Sequence, residues 1–412
     1  MRKLCTFAII ALVLTGITAC KKTSSKNAVV TKTNEENSVK KIASVAKKGT
    51  SVKIITAGEW AEKYPEIYAS YMKNGENFKT TDYVKDYPMI ATLYEGIAFS
   101  KYYSSARGHL FTIDDVKETG RPHKLANCFS CKTPYFSVMV NEMGDDAYSL
   151  PFDEVEKKML EPITCYGCHE NSPGEFTISN TYLADALGDD LAKVDAETLS
   201  CAQCHVEYYF RGEKKATTLP YKGLDSMNPD SILAFYNEND FADYVNPRTG
   251  VRQIKVQHPE FETFMGEGSV HAGQYTCADC HMGEAVSDKG VAYKSHMWTS
   301  PLNNERLVKN TCSACHQDLK GFVTAIQEKM EKRTIDIGYK LEALTNKLAD
   351  AVAAGTYTEI ELNEIRSLAR NAQFYWDFVF VENSEGAHNS KLNNICLDKS
   401  ETLVAKAETL FK

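Results

Sequence analysis

Apolar residues recur at helical spacing mainly toward the end of the chain. Ile337, Leu341, Leu344, Leu348 and Val352 fall three or four residues apart and predict one face of an amphipathic helix. Gly355 breaks that helix, and Thr356 or Thr358 can cap the next. Ile365, Leu368, Ala372, Tyr375 and Val379 mark a second helix. Leu392, Ile395, Leu403 and Leu410, after Gly386, mark a third. Residues 321–412 therefore read as a helical hairpin plus a final helix, part of the same domain as the region before them. Core packing alone accounts for such helices, but long helices at a chain end also offer a dimer surface. From 52 to 320, short helical stretches mix with long loops, and no run of alternating positions announces a sheet. The fold expected is mainly α with little β.

The start of the chain follows other rules. Arg2 and Lys3 precede a nearly unbroken apolar or small run from Cys5 to Ala19, too short to span a membrane and suited to a secretory signal. Residues 1–19 end in Ile17-Thr18-Ala19 before Cys20, which resembles a bacterial lipoprotein box, so lipidation of Cys20 is expected. Residues 20–51 are rich in Lys, Ser, Thr, Asn and Glu, and read as a flexible tether with a reach of roughly 30 Å. The mature protein is then expected in the periplasm or on another extracytoplasmic face, held to a membrane by lipid. Loss of Arg2 and Lys3 with the signal takes the formal charge from −8 to −10, which disfavours nucleic acid. An anionic substrate would need a local positive funnel.

Region 52–320 carries the chemistry. Four copies of C-x-x-C-H occur: Cys165/Cys168/His169, Cys201/Cys204/His205, Cys277/Cys280/His281 and Cys312/Cys315/His316. With 13 cysteines and 10 histidines in 412 residues, chance placement gives about 0.01 copies. Each is the attachment signature of a c-type haem, two thiols for the vinyl groups and the histidine as proximal iron ligand. Zinc or disulfides would explain the cysteine pairs but not four histidines in the same place.

A fifth pair, Cys128 and Cys131, is followed by Lys132. A disulfide or a decayed site is the bland alternative. As an iron ligand the lysine must be a neutral amine, in a dry site beside a positive metal. The ten histidines support that reading. Four are proximal; four six-coordinate haems need four more; two remain, so the lysine haem has an open far side where a small substrate can bind.

C-x-x-C-K followed by four C-x-x-C-H resembles the ammonia-forming cytochrome c nitrite reductases, with haems replacing much of an ordinary core. The resemblance runs over roughly 58–395, through Glu59-Trp60, Lys63-Tyr64-Pro65, Arg107-Gly108-His109, His205 to Phe210, Lys255 to Glu260, and Gly386-Ala387-His388. It implies distal histidines His296, His109, His388 and His271 for the second to fifth haems. It implies Arg121, Tyr208 and His258 around the open face of the Lys132 haem, with Arg107 as the alternative arginine. A guanidinium and an imidazole suit nitrite, and Tyr208 and His258 suit proton delivery. It further implies calcium on the Glu207 carboxylate, the Tyr208 and Lys255 carbonyls and the Gln257 side-chain oxygen, all hard donors. A homodimer, and electrons from a membrane-bound quinol-oxidising cytochrome, are also implied.

His123 matches no ligand role, Cys5 leaves with the signal, and Cys396 reads as a buried structural thiol. The rivals are a pure electron-transfer cytochrome, with all five haems six-coordinate, and a related hydroxylamine or sulfite reductase.

Overall fold

The computed structural model describes residues 39–76, 79–97, 100, 103–121 and 123–412. The signal segment, Cys20 and most of the expected tether lie outside them. Among the described residues the architecture is helical, with only short two-stranded sheets.

Three long helices close the chain: Leu319–Ala354, Glu359–Phe380 and Ser390–Glu408. Asp318 caps the first by accepting from Gly321 N, and Gly355 ends it in the left-handed region at φ 64°, open to glycine without strain. Thr358 opens the second with a capping box to Glu361. The expected apolar positions of the first two helices are buried, Val352 only in part. In the third the stripe is shifted. Leu392, Cys396, Leu397, Val404 and Ala407 are buried, whereas Ile395, Leu403 and Leu410 lie at its edge. Cys396, 1% exposed, serves as a small apolar core residue.

Arg333, Lys340 and Lys347 recur every seven residues on the first helix and pair with Asp398, Glu401 and Glu408 on the third. The first and third helices therefore run parallel and in direct contact, and the second runs antiparallel to both and packs on each. Gly338 lets this bundle press on the rest of the protein. A Cβ there would lie 2.9 Å from Met89 Cε and 3.2 Å from Trp376 Cζ2. The Trp376 indole, fully buried, donates to Thr334 O at 2.8 Å.

One boundary differs from the sequence reading. The tether expected over 20–51 is docked from Lys40 onward. Ser44–Val45 pairs in parallel with Thr177–Ile178. Lys40 Nζ meets the buried Glu197 at 2.7 Å, and Gly49 N donates to Asn141 O at 2.5 Å. Ile42 and Val45 pack against the main core. Backbone pairing and two apolar side chains hold a segment whose polar composition hid it.

Candidate functional site: histidine pairs around an Arg–Tyr–His cluster

The C-x-x-C-H segments are single helical turns. The His169, His205 and His316 amides donate to the carbonyls of Cys165, Cys201 and Cys312 at 3.0, 3.0 and 2.9 Å. Cys277–His281 is a short helix with a Thr276–Asp279 capping box. The turn brings each histidine back beside its two sulfurs. C-x-x-C-K is built otherwise. Cys131 is left-handed at φ 59°, and the Lys132 amide donates to Phe129 O at 3.0 Å. Lys132 O in turn accepts from the Thr112 hydroxyl at 2.7 Å.

Among the ten attachment cysteines Cys315 is exposed, and the other nine are partly or fully buried.

Each C-x-x-C-H histidine faces another from a distant part of the chain. Ring centroids are 6.5 Å apart for His169–His296, 5.9 Å for His205–His109, 5.9 Å for His281–His388 and 6.2 Å for His316–His271. Metal–imidazole bonds are about 2 Å long, so one ion between two rings sets their centroids about 6 Å apart. All four pairs therefore fit a shared iron. His205 is also 6.1 Å from His258. Those two rings, however, turn Nδ1 toward the same carboxylate, Glu260, at 3.7 and 4.0 Å.

Arg121, Tyr208, His258 and Lys132 come together. Arg121 Nη1 donates to Cys128 Sγ at 3.9 Å. Burial pushes the Tyr208 hydroxyl up and keeps it protonated, with the Arg121 charge opposing. Burial, with Lys132 and His205 nearby, lowers His258 to about 4 against the pull of Glu260, so its ring is neutral at pH 7. His258 Nδ1 is buried without a hydrogen-bond partner. The side chain is 40% exposed, with Nδ1 on its buried side. Arg107 is committed elsewhere, with Nε 2.7 Å from Asp115 and its guanidinium 4.6 Å over Phe111.

Behind His258 lies a buried acidic network. Glu207 Oε2 accepts from Gln257 N at 2.6 Å and Oε1 from Tyr236 at 2.8 Å. Glu262 accepts from Glu207 N at 3.0 Å, and Asp243 from Lys255 N at 2.8 Å. Burial pushes Glu207 well up, Asp243 to about 6 and Glu262 to about 8. The hydrogen-bond donors to Glu207 are neutral, so a bound cation would let it ionise. Lys255 O accepts from Gln257 Nε2 at 2.8 Å, so turning that amide over would aim its oxygen inward. No three His, Cys, Asp or Glu side chains converge as a metal group among the described residues. The expected calcium donors include only one carboxylate, the rest being amide oxygens.

The sequence profile of the cytochrome c552 family matches residues 56–412. The chain belongs to this family. The cytochrome c nitrite reductase subunit NrfA of Nitratidesulfovibrio vulgaris is 31% identical to it, over 84% of this chain and 76% of that protein. Cytochrome c-552 of Desulfotalea psychrophila is 29% identical over 80% and 70%. A solved cytochrome c nitrite reductase of Desulfovibrio desulfuricans, described with two calcium sites in its catalytic subunit, superposes with a TM-score of 0.76. It is 29% identical and covers 86% of this chain and 85% of its own. Membership in the cytochrome c552 family agrees with the four C-x-x-C-H turns, and the solved relative shares the helical fold.

Residues that sequence reading left out also serve this cytochrome. Glu260 sits between His205 and His258, and Glu382 accepts from His388 Nδ1 at 2.6 Å. Glu260 lies inside a segment already singled out, but nothing in its spacing gives its direction. Glu382, six residues before its histidine, carried no signal.

Proposed function

We propose that this chain is an ammonia-forming cytochrome c nitrite reductase with five haems c and a calcium ion. Four haems are held by His169/His296, His205/His109, His281/His388 and His316/His271, and the fifth by Lys132. The observation carrying the reading is the four histidine pairs at 5.9–6.5 Å, which leave Lys132 with Arg121, Tyr208 and His258 instead of a fifth pair. When bound, the haems supply one-electron transfer and, at Lys132, an iron with one open face. The protein does the rest. Arg121 draws in and orients the nitrite anion. Tyr208, held protonated, offers a hydroxyl to its oxygens. His258, neutral when the site is empty, takes up a proton beside the anion and passes it on as N–O bonds break. Six electrons and eight protons convert nitrite to ammonium and two waters.

Calcium on Glu207 and the carbonyls of Tyr208 and Lys255, with the Gln257 oxygen, would stiffen the two segments bearing Tyr208 and His258. The Desulfovibrio relative's calcium sites support this. The signal-like start supports an extracytoplasmic enzyme lipidated at Cys20, fed by a membrane-bound quinol-oxidising cytochrome. No described helix is long and apolar enough to cross a membrane. A homodimer through the terminal helices is supported by exposed Phe322, Tyr339 and Ile360.

The deciding experiment supplies isotopically labelled nitrite and a reduced viologen to purified, haem-loaded protein. Near-stoichiometric labelled ammonium is expected. No nitrite consumption by fully loaded protein would overturn the proposal in favour of an electron carrier.

A further inference from the structure

The paired histidines differ in what their second nitrogen touches. His169 Nδ1 meets Glu175 O at 2.6 Å, His296 Nδ1 meets Lys294 O at 3.0 Å, and His281 Nδ1 meets Thr299 O at 2.9 Å. These acceptors are neutral carbonyls. His388 Nδ1 instead meets the Glu382 carboxylate at 2.6 Å. The Glu382 side chain is wholly buried just beyond the second terminal helix. Its other contacts are neutral donors: the Ser384 hydroxyl at 2.6 Å, Ser384 N at 3.2 Å and Asn393 Nδ2 at 3.4 Å. A carboxylate at that distance draws the Nδ1 proton toward itself and makes the ring a stronger electron donor through Nε2. A more electron-rich axial ligand favours ferric over ferrous iron.

We propose that Glu382, acting through His388, lowers the reduction potential of the haem between His281 and His388. The comparison is the haem between His169 and His296, where both imidazoles donate to carbonyls. Glu382 is thus a positioning residue that tunes one member of the electron path. The inference rests on the assignment of those histidines as iron ligands. An electron would dwell least on this haem and pass to its neighbours, so the path is graded rather than level.

Redox titration of the five-haem protein, followed by visible absorbance and by electron paramagnetic resonance of frozen samples, tests this. Glu382→Gln keeps an oxygen for Nδ1–H but removes the charge. One low-spin haem is expected to titrate at a higher potential with altered g values, the other four unchanged. Ser384→Ala removes a hydroxyl that competes for the carboxylate, so the same haem is expected to shift lower. Opposite shifts in one haem are not what a loosened loop produces. Unchanged potentials in both variants, or shifts of the same sign, would overturn the proposal. Should Glu382→Gln fail to load five haems, the sign of the Ser384→Ala shift decides. His388→Met separates the two levels of inference. An altered low-spin signal there, with silent Glu382 and Ser384 variants, would sink the role of Glu382 alone. No altered signal would overturn the ligand assignment, and this proposal with it.

Discussion

The Lys255 ammonium lies 3.0 Å from Asp377 Oδ2, with side chains 3% and 0% exposed. This pair fastens the segment carrying Gln257 and His258 to the second terminal helix. Asp377 also accepts from Val256 N at 2.9 Å and from the Tyr94 hydroxyl. The Lys255 charge lies over the Tyr94 ring at 4.8 Å. Asp377 holds Lys255 in its charged form against the penalty of burial.

Breaking one half of the pair strands the other charge in a dry site. Asp377→Ala should therefore cost about 3–5 kcal/mol in chemical unfolding. The double variant Lys255→Met with Asp377→Leu should recover most of that loss. An additive double variant would show that the two charges do not depend on each other.

Lys132 tests the catalytic haem. Lys132→His should still load five haems, while nitrite turnover falls by an order of magnitude or more as the ligand changes. Unchanged turnover would remove any catalytic importance from the lysine.

The two candidate arginines should separate kinetically. Arg121→Ala should lower kcat/KM on nitrite by about 10²-fold, the scale of losing one charged donor at a reacting centre. Arg107→Ala should spare kcat/KM to within a few-fold and instead lower the melting temperature, because its guanidinium is tied to Asp115.

Calcium removal should act on rate before fold. A chelator should depress activity, and added calcium should restore it. Glu207→Gln should abolish the rescue. Glu262, raised to about 8 by burial, adds a pH signature in calcium-free protein. Its folded value exceeds its ordinary 4.5, so its contribution is complete below 4.5 and is lost as pH rises through 8. Unfolding midpoints of chelated protein between pH 5 and 9 should fall accordingly.

The docked N-terminal segment should respond to acid in the opposite sense. Burial works to raise Glu197, but Lys294 and Lys40 override it and hold it below 4.5. A lowered carboxylate contributes its stability above 4.5 and loses it as pH falls through its folded value. Hydrogen exchange of the amides around Ser44 should therefore quicken below pH 4.5. Glu197→Gln should reproduce that loosening at neutral pH.

Much of this was legible before any coordinates. The terminal helices declared themselves through Ile337, Leu341 and Ile365, because a helix buried on one side must repeat. The attachment turns were legible because two thiols and a ligand must sit within five residues. The histidine pairs could be counted but not matched by spacing alone, since His388 meets His281 across more than a hundred residues, and the match came from family resemblance. What stayed hidden otherwise was polar and long-range. Asp377, Glu262 and Glu382 look like ordinary helix or surface residues until folding removes water from them. The left-handed Cys131 was equally invisible, because backbone dihedrals leave no mark on a C-x-x-C motif.

The pairing of Ser44–Val45 with Thr177–Ile178 sets an order in time. The residues that pair are 133 positions apart, and Thr177 O also accepts from Gln203 of the next attachment motif at 3.4 Å. A chain made from its N-terminus offers Ser44 long before Thr177 or Glu197 exists. The earliest of these residues to be synthesised must therefore wait until two attachment loops have been built and shaped. Its seating marks their completion, like a clasp that closes only on a finished case.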